Sequence, residues 1–265
     1  MCAVNSLKRD GYAVIQDFLP QHQFETLLEE ARCRLNSIVS TDPYPASNRK
    51  GFGHKISHSW GFDRFDSGTL NRFIALDSEQ IPSAALFTRD VRLSVLSRAV
   101  VGKRHSVRGI SLYVTINGDE ERAPDLQKVL HRDTFFSSVK FWYFLTSVTE
   151  ENGPFTYVPG SHLLTKKRLA WEKARSLEGS RARTRTPAQR SSGESLSLGG
   201  SFRVSPEELN ELGLPAPQSI TVPGNSLVFA NTFGFHRRGD AKTGSHRLAL
   251  YGAKRPTFPF SLLSS

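Results

Sequence analysis

Beyond Gly102 the sequence changes texture, and that change constrains the fold more than any other feature. Before it, apolar residues recur at helical spacing. After it, short β-branched and aromatic runs are separated by turn residues. The runs cover 110–116, 139–145, 154–159, 219–222, 226–230 and 247–252. Each is long enough for one strand and too short for a buried helix. Helices followed by many short strands predict a mostly β protein, a sandwich or barrel with a helical layer outside it.

In the first hundred residues, 12–16 reads as a short strand. The segment Asp17-Phe18-Leu19-Pro20 then opens an amphipathic helix carrying Phe24, Leu27, Leu28, Ala31 and Leu35. Residues 40–66, rich in Gly, Pro, Ser and aromatics, read as an irregular loop holding His54, His58 and Trp60. A second helix is expected over 82–100 and another over 163–178. Ser205-Pro206-Glu207-Glu208 has a capping residue, a proline at the first helical position and a glutamate at the third, which starts a short helix closed by Gly213. With 265 residues, 38% of them hydrophobic and 18 of them phenylalanine, one well-filled domain spanning 1–265 is expected. A helical N-terminal layer would take about 1–105 and the strand-rich core about 106–265.

The net charge of +10 raises nucleic acid as a partner, but its distribution argues against it. Between Lys166 and Arg203 stand ten Lys or Arg and three Asp or Glu, so +7 of the +10 is local. That stretch lacks the interleaved aromatics on which bases stack. It reads instead as a basic, partly mobile insertion over about 164–215, with 179–201 as a loop. A lid of this kind would favour an anionic substrate through Lys166, Lys167 and Arg168. No apolar run approaches the ~18–20 residues that cross a membrane. The first residues do not pattern as a secretory signal. Two cysteines, Cys2 and Cys33, make neither a disulfide framework nor a zinc site. A cytoplasmic protein, monomeric or homodimeric, fits these features.

The chemistry resides in a few residues. In His131-Arg132-Asp133 the histidine and aspartate stand at i and i+2. On an extended strand both side chains leave the same face, about 6–7 Å apart at Cα. A lone His236 follows more than a hundred residues later, and Arg247 comes eleven residues after it. Two imidazoles and one carboxylate hold one Fe(II) by a single face and leave positions open for oxygen and a chelating cosubstrate. Arg247 offers a planar fork for a carboxylate, and a hairpin over 239–244 would bring it back beside the strand near His236. Arg237 and Arg238 follow His236, and a bare cation is unfavourable beside a dication, so at most one of them is expected to face inward. The triplet at 131–133 also spells the catalytic loop of a protein kinase, but Ser138 stands where that loop needs Asn.

The ordered set resembles the phytanoyl-CoA dioxygenase family of non-haem iron, 2-oxoglutarate-dependent oxygenases. The resemblance is carried by residues 11–20, by Leu130-His131-Arg132-Asp133 and by Trp142. It continues through Thr149-Glu150-Glu151-Asn152-Gly153-Pro154, Val158-Pro159-Gly160-Ser161-His162 and Gly224-Asn225-Ser226-Leu227-Val228-Phe229. It implies a double-stranded β-helix, the cupin-like jelly roll, with flanking helices. It implies Fe(II) on His131, Asp133 and His236, 2-oxoglutarate on Arg247, and O2 as oxidant. The expected reaction is hydroxylation of an aliphatic C–H of a small, anionic metabolite, with succinate and CO2 as coproducts. Desaturation, ring formation or epimerisation could use the same cofactors. A reading from another class is a metal-binding jelly roll without turnover, a sensor or interaction module.

Two positions depart from the family pattern. Arg238 and Ala249 stand where relatives often carry serines that help to hold the cosubstrate. Tyr113, Thr115, Gln127 and Trp142 are therefore the candidates to complete that shell. Halogenating relatives replace the carboxylate ligand by Gly or Ala; Asp133 is present, which favours oxygen insertion. His162 is expected to stabilise the fold; His54 and His58 read as loop histidines, with contact to substrate or the entrance as the alternative reading.

Overall fold

A computed structural model describes residues 2–44, 53–102, 109–119, 125–184 and 201–254. Thirteen strands among them form two antiparallel sheets. The larger sheet holds eight: β1 (Tyr12–Ile15), β2 (His54–His58), β3 (Gly61–Asp66), β4 (Thr69–Ala75), β5 (Ser111–Ile116), β7 (Val139–Phe144), β11 (Ser226–Asn231) and β13 (His246–Lys254). Their order is β1-β11-β7-β13-β5-β4-β3-β2. The smaller sheet has the order β10-β8-β12-β6-β9. Its strands are β6 (His131–Arg132), β8 (Phe155–Tyr157), β9 (Phe202–Arg203), β10 (Gln218–Ile220) and β12 (His236–Arg238). Two facing antiparallel sheets with flanking helices form the expected double-stranded β-helix.

The central strands β5, β7 and β11 of the larger sheet are covered on both faces, which explains why they read as nearly continuous apolar runs. Alternation assigns the faces. Phe141, Tyr143, Leu227, Phe229, Leu248 and Leu250 point to one side and pack against Leu7 of α1 (Cys2–Arg9), Phe24 and Leu27 of α2 (Gln21–Thr41), Phe87 of α3 (Ala84–Thr88) and Leu93 of α4 (Val91–Val101). Phe144, Val228, Ala230 and Ala249 point to the other side and meet Phe155, Tyr157 and Ile220 of the smaller sheet. Burial of each such large side chain contributes about 1.5–3 kcal/mol. The inner side of the larger sheet thus forms one wall of the space between the sheets.

The helices follow local signals. The helix expected over 82–100 is two, because Asp90 accepts a hydrogen bond from the Arg92 amide and starts α4 afresh. Gly102, at φ 72°, closes α4. Ser205 and Glu208 make the anticipated capping box of α6 (Pro206–Leu212).

Three expectations need correction. Residues 54–58 and 61–66 are not irregular loop: β2 and β3 form a hairpin that β4 continues, extending the larger sheet. The segment before Gly102 is therefore not purely helical. Helix α5 (Lys166–Arg183) runs past residue 178, and it is not loosely attached. Arg168 and Glu172 on α5 and Arg132 on β6 form a buried charge triad, with Glu172 accepting from Arg132 Nη2 at 2.7 Å and from Arg168 Nη2 at 3.0 Å. Arg168 is thus unavailable to a substrate. Residues 185–200, most of the anticipated loop, lie outside the described residues.

Candidate metal centre

β6 and β12 are neighbours in the smaller sheet, and His131 and His236 are direct cross-strand partners. That register sets the two imidazoles side by side, with ring centroids 4.6 Å apart. Asp133 lies just past the end of β6, where its amide donates to Thr232 O at 3.0 Å. One ligand atom from each of His131, Asp133 and His236 lies within 4.8 Å of the others. Each Nε2 is 3.8 Å from an Asp133 oxygen, His131 from Oδ1 and His236 from Oδ2. Arg132, between the two ligands in sequence, points the opposite way into the Glu172 triad.

The imidazoles are oriented from behind. His131 Nδ1 donates to Val129 O at 2.7 Å, and His236 Nδ1 donates to Gly234 O at 2.9 Å. This leaves both Nε2 lone pairs directed at Asp133. Both Nε2 atoms are buried and without a hydrogen-bond partner. Burial, reinforced by the neighbouring His236, pushes the His131 pKa down to about 3. Burial also lowers that of His236. Burial alone would raise the Asp133 carboxyl. Lys140, whose Nζ is 2.7 Å from Oδ2, outweighs it together with the two imidazoles and holds the carboxyl far below its ordinary range. Two neutral imidazoles and an ionised carboxylate are the protonation states that bind a divalent metal. The residues present fit one.

A cavity of about 470 Å³ opens over these residues, well inside the range of small-molecule sites. Gln127, Tyr113, Trp142 and Arg247 line it, as do both Arg237 and Arg238. Thr115 does not, although it pairs with Arg247 across β5 and β13; its Oγ1 is buried without a partner. Arg247 does not return beside β12 as a hairpin would place it. The chain after β12 crosses to the larger sheet, where β13 pairs with β5 and β7. Arg247 is buried, and its Nη1 donates to Gly153 O at 2.5 Å. It has no carboxylate partner among the described residues. Burial lowers its pKa to about 10, which leaves it charged at neutral pH.

Arg238 is accommodated because its charge is neutralised. Asp125 Oδ2 accepts from it at 2.6 Å and Asp66 Oδ2 at 3.2 Å. Arg237 stays at the rim, with its side chain 28% exposed. His58 and His54 do not line the cavity. His58 stacks on Trp60 and pairs with Asp42 at 2.7 Å. His162 Nε2 contacts Lys8 O at 3.1 Å, a structural position near the end of α1.

Several cavity residues escaped sequence reasoning: Lys140, Arg64, Phe73, Phe155 and Tyr251. Lys140 had a signal, since it shares the inner register of β7 with Trp142. Arg64 and Phe73 stand on β3 and β4, which the sequence did not reveal.

The phytanoyl-CoA dioxygenase family model matches residues 7–196, well over half of the chain. The chain belongs to the phytanoyl-CoA dioxygenase family. No curated protein matches it in sequence. Among solved structures it is similar to AviO1 from Streptomyces viridochromogenes Tue57, with TM-score 0.54 and 15% identity over 97% of this chain and 96% of that one. It is similar to HygX from Streptomyces hygroscopicus with nickel and 2-oxoglutarate bound, with TM-score 0.51 and 18% identity over 97% and 87%. It is also similar to the epimerase SnoN in complex with Fe3+, alpha ketoglutarate and nogalamycin RO, with TM-score 0.51 and 18% identity over 95% and 81%. At these identities the likeness is one of fold. The family places the chain among non-haem iron, 2-oxoglutarate-dependent enzymes.

Proposed function

We propose that the protein hydroxylates an aliphatic C–H bond of a small, anionic metabolite, using Fe(II), 2-oxoglutarate and O2. His131 Nε2, His236 Nε2 and one Asp133 oxygen would hold the iron. Arg247 would hold the distal carboxylate of 2-oxoglutarate. When bound, these groups supply the oxidising chemistry, with 2-oxoglutarate leaving as succinate and CO2.

One observation carries the reading. Two buried Nε2 atoms without partners converge on an ionised carboxylate, in the same cavity as a buried arginine that has no carboxylate partner among the described residues. Unpartnered buried polar atoms cost free energy, and so does an unpaired buried charge. A metal and a dicarboxylate relieve both costs. The protein's own contributions are the tautomer lock at Val129 O and Gly234 O, the Lys140 contact that orients Asp133, and a cavity lined in part by aromatic rings.

The test is succinate release coupled to O2 uptake by the purified protein with Fe(II) and 2-oxoglutarate. Asp133→Ala should abolish both. An Asp133→Ala protein that kept full activity with ordinary iron binding would overturn the ligand assignment.

A further inference from the structure

The outer half of the cavity has its own chemistry, and this inference rests on the proposed function. Besides Arg237 at the rim, four cations line the cavity: Arg64, Lys140, Arg238 and Arg247. Three have carboxylates. Arg238 has Asp125 at 2.6 Å, Arg64 has Asp66 at 2.9 Å and Lys140 has Asp133 at 2.7 Å. Arg247 is left for the cosubstrate. A divalent metal changes this balance. It takes the charge of Asp133 and that of the near carboxylate of 2-oxoglutarate, while the far carboxylate meets Arg247. Lys140 then becomes the one of these four cations without a counter-charge. A largely enclosed ammonium in that state is costly unless an anion joins it.

The surroundings of Lys140 are suited to an anion. Arg64 carries a buried Nε with no hydrogen-bond partner. The Tyr251 hydroxyl has no hydrogen-bond partner among the described residues. Arg64 Cζ and the Tyr251 ring both lie against Phe73, at 5.6 Å and 5.7 Å from its centroid, and Tyr251 stands diagonally across from Lys140 on the paired strands β13 and β7. Ala253 stands directly across from Lys140 on β13, so its small side chain leaves room.

The apolar part of the same wall is equally specific. It is built of aromatic rings, with no Leu, Ile, Val or Met among the lining residues. Tyr251 lies edge-on to Phe73 at 5.7 Å between centroids and tilted to Trp142 at 5.8 Å. Arg64 Cζ is 5.6 Å from the Phe73 centroid. Rings so arranged offer flat faces and edges to another ring rather than a tube for an alkyl chain.

We propose that the substrate is a ring-bearing carboxylate whose anionic group sits on Lys140, Arg64 and Tyr251, with its ring against Phe73, Trp142 and Tyr251. The strand pair β3–β4 supplies Arg64 and Phe73, so the hairpin extension of the larger sheet serves as a specificity wall.

The test uses equilibrium binding to protein first titrated with Ni(II) and 2-oxoglutarate, so that no turnover is needed. The probes are phenylacetate, its neutral analogue phenylacetamide, and acetate, which lacks the ring. Phenylacetate should bind at least about tenfold more tightly than either of the others, the size expected for a charge-assisted contact and for a buried ring. Arg64→Met should bring phenylacetate to within about threefold of phenylacetamide. Asp66 keeps Asn71 and Arg238 in that variant, so the wall persists. Lys8→Met, at an exposed position of α1 on the outer side of the larger sheet, removes one positive charge away from the cavity and should leave the preference unchanged. Equal binding of acid and amide, equal binding of phenylacetate and acetate, an unaltered preference in Arg64→Met, or no binding of any probe would each overturn the proposal. The initial titration reports on the proposed function alone. A protein that takes up Ni(II) and 2-oxoglutarate yet ignores the probes overturns only the carboxylate seat. One that takes up neither overturns both.

Discussion

Glu172→Leu tests how α5 is attached to the metal-bearing strand. Among the described residues, Glu172 is the carboxylate shared by both guanidiniums, and the side chains of Arg132, Glu172 and Arg168 are 3%, 1% and 2% exposed. Removing one partner of a buried ion pair leaves an uncompensated charge and costs about 3–5 kcal/mol. Here two guanidiniums lose their shared carboxylate at once. Part of the cost is offset, because Arg168 keeps its bonds to Ser161 O and Phe233 O and Arg132 stays 3.9 Å over the Phe202 ring. The low end, about 3 kcal/mol, is therefore the expectation. At about 2–4 °C per kcal/mol for a chain of this size, Tm should fall by about 6–12 °C. Urea unfolding monitored by circular dichroism measures the free energy directly. The comparison variant is Glu178→Ala, which breaks the Arg175–Glu178 pair on the same helix. Glu178 is 40% exposed there, and the loss should be under about 0.5 kcal/mol. A Glu172→Leu loss below about 1 kcal/mol, or one equal to that of Glu178→Ala, would refute the idea that a dry charge triad clamps α5 to β6.

Other perturbations reach the site itself. Arg247→Met should weaken 2-oxoglutarate binding by about 10- to 100-fold with metal uptake unchanged, measured by calorimetric titration. Gly234→Ala would drive a Cβ into the Tyr157 hydroxyl and displace the carbonyl that holds His236 Nδ1. It should lower stability by about 1–3 kcal/mol and weaken metal affinity, read from thermal shifts with and without metal. The metal-free protein should lose stability on acidification. The folded-state pKa values of His131 and His236 lie below the ordinary 6.5, so the unfolded chain binds protons first. The stabilisation is complete above about pH 6.5 and falls below it, for His131 down to about pH 3, by at most about 1.4 kcal/mol per pH unit for each histidine. A flat profile between pH 7 and 5 would contradict their burial as neutral rings.

Much of the jelly roll was legible because its strands obey local rules. Residues 139–144 alternate between two apolar environments and contain only strand-forming residues apart from Lys140. The capping box at Ser205 and the Gly213 stop are equally local. The β2–β3–β4 extension was not legible, for a physical reason. Its buried positions include Asp63, Asp66, Asn71 and Arg72. Such residues break the apolar alternation that marks a strand. They can be buried only because they pair across strands, Arg72 with Asp63 through two bonds of 2.9 Å. The ligand triplet was readable from residue type and spacing. The place of Arg247 was only half readable, since sequence does not show that the chain changes sheets after His236. Arg238 looked unfavourable beside a metal because its neutralising carboxylates, Asp125 and Asp66, are remote in the chain.

The central claim is that His131, Asp133 and His236 hold one metal through two Nε2 atoms and one carboxylate oxygen, with 2-oxoglutarate on Arg247. A crystal structure of the protein grown with Co(II) and 2-oxoglutarate, with anomalous scattering at the cobalt edge, tests it most directly. The account predicts one anomalous peak within about 2.0–2.2 Å of those three atoms, and a carboxylate on the Arg247 guanidinium. A peak elsewhere, ligation through Nδ1, or a cosubstrate that leaves Arg247 bare would contradict it.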